Sequence, residues 1–139
     1  MNQTQLSAGI VPIRKKKSEW EFLILRAFSY WDFPKGTVEA EENAQVAAVR
    51  ELEEETGISR VDFKWGNKFI ETEPYGKGKV ARYYVALVKE DFEIQFLPNP
   101  VTGIIEHHEY RWLSYEEARP LLVPRVQRVL DWAQKLITH

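Results

Sequence analysis

The sequence contains no cysteine, a single methionine and no long run of apolar residues. Without cysteine the chain forms neither disulfides nor thiolate metal sites, which is typical of a reducing compartment, and we therefore expect a cytoplasmic protein. The first residues, MNQTQLSAGIVPIRKKK, lack the apolar core of a signal peptide, and no stretch is long enough to cross a bilayer. We therefore expect no membrane association.

The chain also lacks an excess of charge of one sign. It has 19 lysine and arginine residues against 21 aspartate and glutamate residues, so a broad basic field for bulk nucleic-acid binding is not expected. Its 139 residues, with 44% hydrophobic and 13% aromatic side chains, are enough for one packed core. We expect one folded domain over residues 1–139.

Hydrophobic periodicity predicts strands that are interrupted by one central helix and followed by a terminal helix. Asn43 and Gly57 are suited to cap the central helix over residues 43–56, and Ser114 with Glu117 forms a capping-box pattern. The predicted strands are residues 7–14, 21–27, 61–72, 79–88, 92–96 and 109–113, and the predicted terminal helix is residues 124–137. This order favours an α+β sandwich with a mixed β-sheet between helices.

Carboxylates are concentrated in one segment. Seven of the 17 residues from Glu39 to Glu55 are glutamate, and Arg50 is the one basic residue among them. Like charges at helical spacing repel each other, so this segment is either a solvated surface or the binding site of a cation. Oxygen ligands of this kind suit a hard divalent ion such as Mg²⁺, which keeps water ligands that phosphates can replace.

The helical spacing i, i+3, i+4 places Glu51, Glu54 and Glu55 on one face. We expect this face to be open, because the small residues Ala44, Ala47 and Ala48 fall on it. The opposite face is expected to pack on the sheet through its larger apolar residues and a threonine, which are Val46, Val49, Leu52 and Thr56.

The same segment carries a spaced pattern. Gly36 is followed by Glu42, by Arg50-Glu51-Leu52, by Glu54-Glu55 and by Gly57-Ile58. These nine positions within 23 residues match the signature of the Nudix hydrolases, which the chain resembles. The resemblance implies an α/β/α sandwich and cleavage of a nucleoside diphosphate linked to another group. Where many family members have Pro-Gly, this chain has Ala40-Glu41, which affects the geometry of the loop before the helix.

The resemblance also implies roles for the residues at the matching positions. Glu54 and Glu55 correspond to metal ligands, Glu51 to a ligand or to the base that activates water, and Arg50 to the residue that orients Glu51. Glu42, Gly36 and Gly57 correspond to structural positions of the motif. The backbone carbonyl of Lys35 or Gly36 completes the coordination of one to three Mg²⁺ or Mn²⁺ ions in such proteins.

Flanking segments resemble diadenosine tetraphosphate hydrolases of the animal and bacterial type. They are SAGIVPIR, FLILRAFSYWDFPKGTVE, GKGKVARYYVALV and EHHEYRWLSYEEA, within residues 7–118. Tyr83 aligns with the tyrosine that stacks on adenine, and we expect it to face outward. Glu106 corresponds to a further metal ligand or base. Phosphate contacts are expected from the basic residues of these segments, namely Lys35, Lys77, Lys79, Arg82 and His107.

Three functions follow from these resemblances. The first is asymmetric hydrolysis of diadenosine tetraphosphate to ATP and AMP. The second is removal of pyrophosphate from triphosphorylated RNA 5′ ends, for which residues 14–17, Lys64 and Lys68 would have to converge on a basic path. The third is a Nudix-fold regulator without catalysis, against which the intact motif argues.

Overall fold

A mixed sheet covered by helices on both faces organises the computed structural model, which describes residues 5–138. The strands are β1 (Gln5–Lys16), β2 (Glu19–Ala27), β3 (Tyr30–Asp32), β4 (Lys35–Thr37), β5 (Phe69–Glu71), β6 (Lys79–Leu87) and β7 (Glu109–Leu113). The α-helices are α1 (Ala44–Thr56), α2 (Tyr115–Ala118) and α3 (Pro124–Ile137). The main strand order is β3-β2-β1-β6-β5, with β4 paired to β1 and β7 paired to β2.

β1 lies at the centre of this sheet and determines where the other elements meet. It runs parallel to β6 and antiparallel to both β2 and β4, which makes the sheet mixed. One half of its other edge pairs with β4, and the remaining half pairs with β2. The short strand β4 therefore places Lys35 and Gly36 beside the middle of the sheet.

The two faces of the sheet form two separate hydrophobic cores. Val11 and Ile13 of β1 point to the core beneath α3, whereas Ala8 and Ile10 point to the core beneath α1. This alternation is the two-residue period of a strand buried on both sides. The α+β class, the mixed sheet and the α/β/α sandwich that the sequence predicts are confirmed.

The ends of α1 confirm the predicted caps. The Asn43 side chain accepts hydrogen bonds from the backbone N–H groups of Gln45 and Val46, and Gly57 adopts φ 82 at the other end. Ser114 and Glu117 form the predicted capping box at the start of α2. Within residues 5–138, no helix is long and apolar enough to cross a membrane.

The predicted orientation of α1 is wrong for its alanines and for one valine. Ala47 and Ala48 are completely buried against the sheet, while Val46 is 60% exposed. Small residues let the helix approach the sheet closely, so the alanine side of the helix faces the core. Glu51 and Glu55 continue this side and therefore point toward the sheet, where Glu51 lies against Gly36, not into open solvent.

Two of the predicted strands are also wrong. Of residues 61–72, the structure forms a strand only at β5, together with an isolated bridge from Asp62 to Leu87. Residues 92–96 form no strand, although Ile94 is buried and Phe92 and Phe96 pack against the α1-side core. The alternation of apolar and polar residues correctly predicted which side chains are buried there. A strand also requires a neighbouring strand to pair with, and residues 92–96 have none. Conversely, the segment between β2 and α1, for which the sequence predicts no strand, contains β3 and β4.

Candidate active site

Four glutamates that the sequence singles out line one cavity beside α1. Glu51, Glu54 and Glu55 come from the helix, and Glu106 comes from the loop before β7. We call this the carboxylate cavity. Asn99 donates a hydrogen bond to Glu106 over 3.2 Å, which ties the loop carboxylate to a second loop segment. The structure thus brings together residues that are far apart in the sequence.

Gly36 allows the helix to approach the sheet at this point. A Cβ atom built on Gly36 would collide with the carboxylate of Glu51. A second glycine, Gly9 of β1, has equally little room, because its Cβ would collide with Pro34 and Lys35. The glycine of the motif is therefore required by close packing, which the sequence pattern alone did not explain.

Arg50 fixes the positions of the surrounding carboxylates. Its guanidinium donates to both oxygens of Glu42, over 2.8 and 3.0 Å, and to Glu51 and Glu54 over 2.9 and 3.1 Å. It also donates to the backbone oxygen of Thr37. The fork shape of the guanidinium allows this multiple pairing, which a lysine would not achieve.

Glu42 in turn holds the loop that precedes α1. It accepts a hydrogen bond from the backbone N–H of Glu39, and its hydrogen bond from Arg50 lowers its pKa from 4.5 to about 2. Within this loop Glu41 has φ 65, a left-handed conformation that glycine adopts more easily. This is one of the two positions where many family members have Pro-Gly, so the loop keeps a left-handed turn despite the substitution.

The helix carboxylates experience different environments. Burial raises the pKa of Glu55 well above its ordinary value, and the neighbouring charge of Glu51 adds to this effect. Burial also raises the pKa of Glu51, although Arg50 opposes the shift. Buried like charges are costly unless a cation offsets them. The cavity therefore has the electrostatics of a cation-binding site.

The oxygen atoms available in the cavity fit a hard divalent ion. Oε2 of Glu55 is buried and has no hydrogen-bond partner, so it is free to coordinate. Across the described part of the chain, no three acidic or histidine side chains converge tightly enough to enclose an ion by themselves. An ion held here would keep open positions for water and phosphate oxygens, the mode that Mg²⁺ prefers.

The sequence left two candidates for a backbone metal ligand, and strand geometry separates them. The N–H of Ile10 donates to the carbonyl of Pro34 in the ladder between β1 and β4. Backbone groups alternate in direction along a strand, so Gly36 faces β1 like Pro34 does. The carbonyl of Lys35 lies between them and faces away from β1, and we infer that it is the better ligand.

A larger cavity of about 490 Å³ opens beside the carboxylate cavity and shares Glu55, Glu106 and His107 with it. We call it the nucleotide-sized cavity. Its other lining residues include the exposed rings of Phe28 and Tyr30. A concave site of several hundred Å³ with apolar walls and a few polar groups is typical of small-molecule binding.

Cationic side chains line the same cavity. The Nζ of Lys35 lies 3.6 Å from Asp32; burial opposes the charged form of Lys35, but Asp32 and other nearby groups outweigh it and raise its pKa. Arg125 at the start of α3 stacks over Tyr75 at 3.9 Å, and its Nη1 is buried without a hydrogen-bond partner. The sequence alone did not indicate Arg125, because nothing near Pro124 signals that α3 begins at a cavity.

His107 lies between the two cavities. Its Nε2 is 3.5 Å from Oε1 of Glu55, and burial lowers its pKa. The imidazole is therefore neutral near pH 7. It lines both cavities, so a ligand in either one would lie next to it, and a contact with phosphate stays a prediction.

Tyr83 is not where the sequence predicts it. Its side chain is fully buried beneath α3, and its hydroxyl donates to Asp32 over 2.9 Å. Burial, together with Asp32, raises its pKa well above the ordinary value. The next residue, Tyr84, is also buried, because both faces of β6 are covered. The expectation that Tyr83 faces outward and stacks on a base is therefore wrong.

The other predicted phosphate contacts from this part of the chain lie outside both cavities. Arg82 pairs with Glu71 and stacks over Phe69 at 4.2 Å, so it stabilises the pairing of β5 with β6. Lys77 and Lys79 are exposed and line neither cavity. Of the five predicted contacts, the structure places Lys35 and His107 at the site.

Comparison with known proteins gives a consistent result. A family model described as the NUDIX domain matches residues 3–133. The asymmetrical bis(5′-nucleosyl)-tetraphosphatase of Caenorhabditis elegans is 31% identical over 118 residues, which cover 81% of this chain and 80% of that protein. The RNA pyrophosphohydrolase of Shigella boydii is 31% identical over 100 residues, or 61% of this chain and 55% of that one. A crystal structure of a C. elegans Ap4A hydrolase binary complex superposes with a TM-score of 0.79 at 25% identity, covering 97% of this chain and 98% of that one.

Proposed function

Because the chain belongs to the Nudix family and is a hydrolase of pyrophosphate linkages, we propose that it is an asymmetric hydrolase of diadenosine tetraphosphate. In this reaction the oxygen of a water molecule forms a bond to one phosphorus, and the bond from that phosphorus to a bridging oxygen breaks. The released protons are shared with the phosphate products, which are ATP and AMP. The similarity to curated tetraphosphatases supports this choice of substrate.

The observation that carries the proposal is that the two cavities adjoin. The carboxylate cavity provides ligands for a metal ion, and the nucleotide-sized cavity, with which it shares Glu55, Glu106 and His107, provides room for a nucleoside. A substrate with phosphates between two nucleosides fits a site in which a charged region adjoins an apolar one.

The metal-binding role is assigned to Glu51, Glu54, Glu55, Glu106 and the carbonyl of Lys35. They would hold one to three Mg²⁺ or Mn²⁺ ions, which supply charge neutralisation of the phosphates and activation of water when bound. Glu51 suits the role of proton acceptor, because its raised pKa brings it closer to neutral pH than that of an ordinary glutamate. Arg50 holds the Glu51 carboxylate in a fixed orientation.

The phosphate chain is assigned to the cations at the junction of the cavities. Lys35 is charged and held by Asp32, and Arg125 presents a buried Nη1 that lacks a partner. A phosphate oxygen would give this nitrogen the hydrogen-bond partner that it lacks, and such a charge-assisted bond is stronger than a neutral one.

The nucleobase is assigned to the aromatic wall of the nucleotide-sized cavity. Phe28 and Tyr30 are exposed at its rim, and Trp31 lies deeper with Arg111 over its ring at 4.9 Å. Aromatic rings give sequence-tolerant stacking for any base. We assign base stacking to this wall instead of to Tyr83, because Tyr83 is buried.

A second candidate function is removal of pyrophosphate from the 5′ end of triphosphorylated RNA. One observation favours it: Lys15 and Lys64, which the sequence left unplaced, both lie over the ring of Trp20. The RNA pyrophosphohydrolase among the similar proteins supports the same reaction type.

The test is a comparison of initial rates on diadenosine tetraphosphate and on 5′-triphosphorylated RNA with Mg²⁺, with products separated by ion exchange. A higher kcat/KM on the dinucleotide, with ATP and AMP as products, supports the proposal. Faster release of pyrophosphate from RNA replaces it with the second candidate. Activity that survives thorough chelation contradicts the assigned metal role in both cases.

A further inference from the structure

Tryptophan and lysine side chains form a cluster at the far end of α3, apart from the carboxylate cavity. We call this cluster the tryptophan–lysine face, and it consists of Trp20, Lys64, Trp65, Lys68, Trp132 and Lys135. The three indoles are half-buried against the edge of the α3-side core. They come from the hairpin of β1 and β2, from the segment before β5 and from α3, so folding assembles this face from separate parts of the chain.

The rings and ammonium groups of the face are in direct contact. Trp20 and Trp65 meet edge to face, with their centroids 5.6 Å apart. Lys64 lies over both rings, at 6.0 and 5.7 Å, and Lys15 lies over Trp20 at 5.0 Å. A hollow of about 480 Å³ separates Trp65 from Trp132, with Lys68 and Lys135 at its sides.

In the part of the chain that the structure describes, the lysines of the face form no salt bridge, and no acidic side chain lines the hollow. The nearest carboxylate on α3 is that of Asp131, which pairs with Arg119; this pairing lowers the pKa of Asp131, and the charge of Lys135 one turn later adds to the effect. The protein as a whole is slightly acidic, with a net charge of −2. The positive charge here is therefore a local feature that is available to an anionic ligand.

One side of α3 connects this face to the nucleotide-sized cavity. Arg125 lines the cavity, and Arg128, Trp132 and Lys135 follow it at spacings of three, seven and ten residues, which keeps them on one side of the helix. From Arg125 to Trp132 the helix rises roughly 10 Å. Helical spacing thus places three basic residues and one indole on one side of α3, between the nucleotide-sized cavity and the hollow, with Asp131 beside them.

We propose that the tryptophan–lysine face binds single-stranded nucleic acid, with bases stacking in the hollow between Trp65 and Trp132 and phosphates contacting the lysines. Neighbouring indoles and lysines suit such chains, because each nucleotide presents one aromatic base and one phosphate. An acidic peptide would use the lysines but would leave the indole hollow unfilled. Binding of the RNA to this face does not depend on the proposed function. A path along α3 that leads an RNA 5′ end to the catalytic residues does rest on the proposed function.

The experiment measures binding of a fluorescently labelled RNA of about ten nucleotides with a 5′-hydroxyl end, by anisotropy at several salt concentrations. The charge-reversal variant K64E/K68E is expected to bind about tenfold more weakly or worse, and with a shallower dependence on salt. Replacement of one indole in Trp132→Leu keeps an apolar side chain for packing and is expected to weaken binding about fivefold to a hundredfold. Melting curves establish that each variant is folded.

The matched control is R60E/K89E, which changes the net charge by the same amount at two exposed residues that pair with Glu90 and Asp62. It is expected to bind RNA within about twofold of the unaltered protein, since it removes no contact to the face. Absence of RNA binding by the unaltered protein overturns the proposal. So does equal loss in the control, or equally tight binding of an acidic peptide or of duplex RNA. Because this RNA carries no 5′ phosphate, the result is independent of hydrolysis, and a failure of the proposed activity is detected separately.

Discussion

Gly36 lies directly against the carboxylate of Glu51, with no room for a side chain between β4 and α1. The contact joins the first position of the motif to its central carboxylate, and it explains in packing terms why the pattern begins with glycine. It also implies that the position of Glu51 depends on the size of residue 36.

We therefore expect Gly36→Ala to impair catalysis far more than folding. The added methyl group displaces the Glu51 carboxylate, and a displacement of about 1 Å at a reacting group costs on the order of 100-fold in rate. The measurement is kcat on diadenosine tetraphosphate, together with the melting temperature. Thr37→Ala is the control, because Thr37 is the exposed neighbour of Gly36 in the same strand and its replacement adds no atom next to Glu51. A fully active Gly36→Ala enzyme would show that Glu51 does not act from this position.

Glu55→Gln is expected to remove activity while leaving the fold equally or more stable. The Glu55 carboxylate is buried beside Glu51, and its raised pKa shows that this environment disfavours the charge. A neutral amide relieves that cost and should raise the Tm in chelator by about 1–5 °C. Loss of a metal ligand should lower kcat by about 100-fold or more.

Glu53→Gln provides the comparison for this variant, since Glu53 is an exposed residue of the same helix. Its kcat and Tm should stay close to those of the unaltered protein. A large drop in Tm for Glu55→Gln would mean that the carboxylate stabilises the fold, and the assignment of Glu55 to metal binding would then lose its main physical support.

The ion pair between Glu42 and Arg50 gives the stability of the protein a defined acid dependence. In the folded protein the pKa of Glu42 is lowered from 4.5 to about 2. A lowered pKa contributes stability that is fully present above the unfolded value and is lost as the pH falls toward the folded value. Glu42→Gln should therefore lower the Tm at pH 7, and this difference should shrink between about pH 4.5 and pH 2. Thermal melts of both proteins across this range, with Glu41→Gln as a neighbouring control, measure the effect; a difference that does not depend on pH would exclude it.

The parts of the site that lie close together in sequence could be predicted from the sequence. The spacing from Gly36 to Ile58 identified α1, both of its caps and its carboxylates, because caps and helical faces are determined by local residues. Glu106 was recognised through a flanking segment that resembles a family of known fold, and the structure places it in the same cavity.

What the sequence could not provide were the facts that depend on tertiary packing. Which side of α1 faces the sheet depends on how closely the alanines approach it, and Ala47 and Ala48 proved to be core residues. Arg125 reaches the nucleotide-sized cavity only because α3 packs across the sheet. The convergence of Lys64 with Trp20 likewise joins two segments that are distant in the chain.

Tyr83→Phe tests the corrected position of that tyrosine. The hydroxyl donates to the part-buried carboxylate of Asp32, so its removal should destabilise the protein by about 1 kcal/mol. Because the ring does not reach the surface, KM for diadenosine tetraphosphate should change by less than about twofold, a difference of only a few tenths of a kcal/mol. Denaturant unfolding and steady-state kinetics measure the two effects. A large rise in KM without loss of stability would return Tyr83 to the binding site.

Phe28 is the residue from which we expect the clearest effect on substrate binding. Its ring is 81% exposed, and its backbone has φ 57, a conformation that is unfavourable for a bulky residue. The exposed ring and the strained backbone of Phe28 do not stabilise the fold. The Arg26 side chain holds this backbone in place by donating a hydrogen bond to the Phe28 carbonyl. Such a combination at the rim of a cavity is characteristic of functional positions.

Phe28→Ala should therefore raise KM for diadenosine tetraphosphate by about 5- to 100-fold, the range expected when one stacking contact to a base is lost. The change in kcat should be smaller, because Phe28 does not line the carboxylate cavity. Phe69→Ala is the matched control: its ring is also partly exposed, at 46%, but it packs on Tyr84 and Arg82 and lines neither cavity. If the two variants have the same KM, the aromatic wall does not bind the base, and the nucleoside must be held mainly through its phosphates by Lys35 and Arg125.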